Sequence, residues 1–205
     1  MIGALYFLFF LSGLSGLIYQ VVWVRVLGTV FGSTVYSAAL VTAIFMLGLG
    51  IGGVVIGSAS DRRRATVPER LISDYGYLEL AIGLLGMSIA FILPHLDGLS
   101  ALLSSYVVDA HGWHVLSTSS WMLRAAACVL LIMPITVPMG ATLTVLARFV
   151  MQHDLCTGSG RLALLYAANT LGAAAGALLT DYALVPAFGS LVVSVADLGG
   201  ALTGV

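Results

Sequence analysis

Five charged residues sit in or beside runs that are otherwise apolar: Arg25, Glu79, Arg124, Asp181 and Asp197. A charge placed in hydrocarbon costs about 2.5–3.5 kcal/mol even on insertion-based scales, so such residues mark sites where a charge pairs, snorkels or works. Glu79 and Arg124 lie near the starts of their apolar runs, within reach of headgroups. Arg25 follows the first run and is expected to snorkel or to pair within the bundle. Asp181 lies near the end of its run. Asp197, between Ala196 and Leu198, is midway through the last one and needs a partner, a proton or a water-filled cavity. A proton relay or a transport site requires two or more of these groups to converge. Asn169 adds an amide, which is costly in hydrocarbon unless it bonds to a neighbouring helix.

Other spacings carry packing rather than chemistry. Gly48, Gly50 and Gly53 spell G-x-G-x-x-G, the dinucleotide fingerprint, but they lie inside an apolar run with no strand before them. Gly48 and Gly52 are four apart, as are Gly53 and Gly57, the spacing that lets helix backbones approach in a membrane. Ala168, Gly172, Gly176 and Thr180 repeat it, with Ala173 and Ala177 widening the stripe. His111 and His114 are three apart without a third ligand, so no metal site is assigned. Trp113 and Trp121 read as interfacial anchors. Cys128 and Cys156 make no disulfide framework. No cofactor is implied.

These residues must be positioned by helices in lipid. Of 205 residues 60% are hydrophobic and only 8% are charged, against about 25% in soluble domains. Mean hydropathy is +1.09. A soluble enzyme is thereby excluded as a class. A formal charge of −1 gives no basic field for nucleic acid. The fold expected is an all-α polytopic bundle in one membrane domain, 1–205, with the bilayer as its first partner. Six spans are expected, at 4–24, 35–58, 77–95, 121–149, 162–183 and 187–205. Pro134 and Pro138 are expected to kink the fourth. The first span lacks a preceding Lys or Arg and a following A-x-A site, so it reads as a retained helix rather than a signal peptide. Within 97–120, Leu99, Leu102, Leu103, Tyr106 and Val107 recur at helical spacing and suggest a short interfacial amphipathic helix. The chain closes on an apolar run without a polar tail, as expected of a truncated chain or one that has lost a domain.

Loop charges set the orientation. Asp61, Arg62, Arg63, Arg64 and Arg70 fall in the second-to-third loop, taken as 61–75. Arg148 and Arg161 flank the fourth-to-fifth loop. The third-to-fourth loop has neither Lys nor Arg. Both termini are therefore expected in the cytoplasm, with the protein in the inner (plasma) membrane.

Five segments together resemble one family: FFLSGLSGLIYQVVWVRVLGTVFGS at 9–33, FMLGLGIGGVVIGSASDR at 45–62, YGYLELAIGLLG at 75–86, PMGATLTVLAR at 138–148 and GRLALLYAANTLGAAAGALLTDYALVPAFG at 160–189. The chain is similar to the membrane half of spermidine-synthase-like integral membrane proteins, in which such a half precedes a cytoplasmic aminopropyltransferase-like domain. The chain holds no segment able to supply that domain, so the resemblance implies architecture and not catalysis. Gly57, Asp61 and Arg62 to Arg64 also resemble the loop between helices two and three of the major facilitator superfamily, without its usual intervening glycine. Six helices would be one half of such a transporter.

Two functions are expected from this. One is a non-catalytic membrane module that scaffolds a partner or serves as an accessory subunit of a larger membrane assembly. The other is a half-size carrier of a polyamine-like cation, acting as a homodimer.

Overall fold

A computed structural model of the chain describes residues 2–31, 34–62, 68–92, 105–108, 112, 114–151 and 155–189. Apolar runs with no polar face form helices, because only intrasegment hydrogen bonds satisfy the backbone in lipid. The long helices are α1 (Ile2–Phe31), α2 (Thr34–Arg62), α3 (Pro68–Ile92), α4 (Thr118–Met151) and α5 (Leu155–Leu179). A π-helical turn, Thr180–Leu184, follows α5 and leads into the short α6 (Val185–Phe188). Among the described residues, four stretches are long and apolar enough to cross a membrane: Gly3–Gly28, Val35–Ser58, Thr118–Met151 and Gly158–Ala187.

Side-chain contacts give the helix directions. Ser12 and Tyr19 of α1 meet Glu79 and Gly86 of α3, so these two run parallel. Leu14 and Arg25 of α1 meet Gly176 of α5 and Asp181 just beyond it, again in parallel order. Gly48, Gly52 and Gly57 of α2 meet Thr136, Val137 and Thr144 of α4 in the same sense. Alternate helices therefore share a direction. Arg62, Arg70, Arg148 and Arg161 then fall toward one end of the bundle, and Arg25, Arg124 and Asp181 toward the other.

Several boundaries differ from those expected. The helix α2 continues past its last apolar residues, so Asp61 and Arg62 occupy its final turn rather than a loop. Helix α3 starts at Pro68 rather than at 77; proline is tolerated in a first turn because its missing N–H is unbonded there anyway. Leu71 and Tyr75 in these first turns are buried in the core, which explains the early start. Cys156 lies in the first turn of α5, not in a loop. Helix α4 starts at Thr118 rather than at 121 and holds Pro134 and Pro138 in its interior.

The largest difference concerns 97–120. Tyr106–Val108 (β1) pairs antiparallel with His114–Leu116 (β2), matching Val107 with Val115. Tyr106 and Val107 thus belong to a hairpin, where β-branched and aromatic side chains are favoured. Gly112, between the strands, has φ of +81°, a conformation that glycine adopts freely. Leu99, Leu102 and Leu103 lie outside the described residues. Ser117 caps α4, its Oγ accepting the Ser120 N–H at 3.2 Å. Of the sixth expected span, only residues 187–189 are described.

The core divides along the bundle. Ile18, Trp23, Phe45, Ile82, Cys128 and Ile132 pack toward one end. Phe9, Leu71, Val145, Leu146 and Leu165 pack toward the other.

Candidate functional site

The site is built on glycine contacts. A Cβ at Gly48 would collide with the Thr136 side chain, one at Gly52 with the Val137 carbonyl, and one at Gly140 with the Leu49 carbonyl. The second tight pair is α1 with α5. A Cβ at Gly172 would strike the Phe10 carbonyl, and one at Gly176 the Leu14 carbonyl. Gly13 of α1 faces the backbone and side chain of Asn169 in the same manner. Thr144 Oγ1 donates weakly to the Gly53 carbonyl at 3.5 Å, and Arg148 Nη2 to the Gly57 carbonyl at 2.9 Å. Ala168 is half-buried on α5. These stripes are thus occupied by other helices of the same chain.

Close packing within each pair leaves room between the pairs. A cavity of about 520 Å³ lies among α1, α2, α4 and α5. Its polar lining includes Ser12, Thr142, Thr144, Asn169 and Thr170. Asn169 makes no hydrogen bond among the described residues, contrary to the expectation of a bond to a neighbouring helix. Its amide lies against Gly13 and faces this cavity. A glycine there gives the amide room to lie against α1.

Ser12 also lines a second cavity, of about 280 Å³, between α1 and α3. There Ser12 Oγ donates to Glu79 Oε1 at 2.8 Å. Tyr75, one turn earlier on α3, and Ser15 and Tyr19 of α1 complete the polar lining. Glu79 is half-buried between α1 and α3. With α3 beginning at Pro68, it lies about 16 Å along the helix at ~1.5 Å per residue. A carboxylate half-buried between helices and beside a cavity is suited to hold a proton or a small cation.

The remaining charges fall elsewhere. Arg25 Nε and Nη2 both donate to Asp181 Oδ1, at 3.2 and 2.7 Å. The two residues are 156 positions apart, so their pairing is not visible in the sequence. The π turn carries Asp181. Arg124 is buried in the second turn of α4 rather than snorkelling; only 7% of it is exposed. Asp197, Arg63 and Arg64 lie outside the described residues, as do His111 and Trp113. Trp121 packs edge-on against Tyr36, with ring centroids 5.2 Å apart.

Sequence reasoning overlooked Ser12 and Gln20. Both interrupt the first apolar run, and Gln20 is the only amide in it, which was the available signal. No protein-family model, no curated protein and no solved structure matches the chain.

Proposed function

We propose that the chain is a half-size membrane carrier for a small organic cation of polyamine-like character, acting as a pair of copies. The observation that carries this reading is Glu79, half-buried between α1 and α3, hydrogen-bonded to Ser12 and facing a cavity. Ser12 lines the central cavity as well, so the carboxylate adjoins a mostly apolar space, dotted with hydroxyls and the Asn169 amide, among the four other long helices. An ammonium group entering there gains a charge partner, while the methylenes of an alkyl amine suit the apolar walls. The fit to a carrier is strengthened because the glycine stripes, which would otherwise have served a partner, are occupied within the chain.

Topology enters this reading. We take α3 and the 187–205 stretch as further spans, with both termini cytoplasmic in the inner membrane. The arginines collected at one end of the bundle support that orientation.

Purified protein in detergent should bind putrescine or spermidine by calorimetry, and Glu79→Gln should weaken that binding by tenfold or more. A thermally intact Glu79→Gln variant that binds as tightly as the parent would overturn the assignment. No aminopropyl transfer is expected from this chain alone.

The scaffold reading retains one observation in its favour. Helix α5 turns Tyr166, Leu171 and Leu178 outward, as the π turn does Tyr182, and packs mainly on α1 through a single face. Stoichiometric co-purification of another membrane protein, lost when that outer face is altered, would favour it.

A further inference from the structure

A groove of about 560 Å³ runs between the C-terminal half of α1, the N-terminal half of α2 and the π turn. Gln20, Arg25, Thr42 and Asp181 are its polar residues, among Leu17, Val21, Val24, Val35 and Ala38. Three features of this groove call for a ligand. Gln20 is 8% exposed, and its Oε1 is buried with no hydrogen-bond partner. A buried acceptor left unmade is expensive, so its vacancy needs an explanation. The Arg25–Asp181 pair is lopsided: both bonds end on Oδ1, leaving Oδ2 and Nη1 unused among the described residues. Both side chains are 46% exposed, so the unused edges are accessible. Finally, the chain departs from the α-helix at Asp181, and π turns inside helices are frequent at functional sites.

The depth of the groove narrows the ligand. Arg25 lies about 4 Å along the axis from Gly28, the end of the first apolar window, and Gln20 about 12 Å. The charged pair is thus at headgroup level, with the amide below it. Val35, 75% exposed, borders the groove on its outer side, so it opens toward lipid.

We infer that this groove binds a zwitterionic headgroup that joins a phosphate to a primary ammonium. The phosphate takes donors from the unused edge of Arg25. The ammonium donates to Asp181 Oδ2 and to Gln20 Oε1. A quaternary ammonium has no N–H and cannot make either bond. An uncharged headgroup alcohol brings no cation to the unused Asp181 Oδ2. Ethanolamine phospholipid supplies this chemistry from the bilayer, and free O-phosphoethanolamine supplies it from water. The inference is independent of the Glu79 site, because no residue lines both.

The test uses the full chain, delipidated and returned to nanodiscs that contain phosphatidylethanolamine, phosphatidylcholine or phosphatidylglycerol. Retained lipid is counted by native mass spectrometry. Phosphatidylethanolamine should be held about tenfold more tightly than either of the others, the scale expected from charge-assisted hydrogen bonds. Gln20→Leu and Asp181→Asn should each reduce that preference severalfold. Gln20→Leu removes an unsatisfied buried atom, so its melting temperature should hold or rise, and loss of lipid preference there is not a folding defect. Binding of free O-phosphoethanolamine at one per chain, with no retained lipid, keeps the headgroup chemistry and moves its source to water. Equal retention of the three lipids in the parent overturns the inference, as does an undiminished preference in both variants.

Discussion

Glu79 and Ser12 meet across 67 residues of sequence, and the meeting gives the carboxylate a donor where water is scarce. Removing that donor has a calculable consequence. Ser12→Ala should lower stability by about 0.5–1.5 kcal/mol, the usual net worth of one hydrogen bond, since Tyr75 still bonds to Glu79. Thermal unfolding in mild detergent measures it. An unchanged midpoint would mean that the Ser12–Glu79 bond adds nothing beyond the one from Tyr75. Individual residues were unevenly legible. Glu79 and Asp181 stood out because a charge in an apolar run is conspicuous in one dimension. Their partners did not, because pairing depends on which helices adjoin. Arg124 was misjudged for the same reason: nearness to a helix start suggested snorkelling, but α4 turns that residue into the bundle.

At the scale of elements, glycine spacing revealed which faces approach a neighbour and was silent on the identity of the neighbour. Gly52 and Gly50 provide a paired test on one helix. A Cβ at Gly52 meets the Val137 carbonyl, whereas one at Gly50 meets nothing within 4 Å. Gly52→Ala should therefore destabilise by ~1–3 kcal/mol through overpacking. Gly50→Ala should be neutral or stabilising by up to ~1 kcal/mol, since alanine is the better helix former. Equal losses for both, read from melting curves, would place the α2–α4 contact on another face. The spans themselves were legible because some twenty apolar residues admit few other solutions. Their ends were less so, as with α2, whose backbone continues to Arg62 after hydropathy has fallen. The hairpin was misread because Tyr106 and Val107 fit a helical period with the leucines before them. The strand preference of the Tyr106–Val108 run and the Gly112 turn were the competing local signals.

At the scale of the whole molecule, alternating helix directions bring Arg62, Arg70, Arg148 and Arg161 toward one end. Cys156 is at that end too, in the first turn of α5, while Cys128 is buried. A membrane-impermeant maleimide should therefore label Cys156 only when the cytoplasmic face is opened. Thr118→Cys, at the start of α4, should be labelled from the opposite face. Labelling of Cys156 in sealed right-side-out vesicles would invert the orientation. Beyond topology stands the claim that this bundle moves a small organic cation past Glu79. Counterflow of radiolabelled putrescine in vesicles containing only this protein tests it most directly. Uptake should exceed that of protein-free vesicles and should fall at least tenfold in a folded Glu79→Gln variant. Uptake equal to protein-free vesicles, or uptake unchanged by Glu79→Gln, would contradict it.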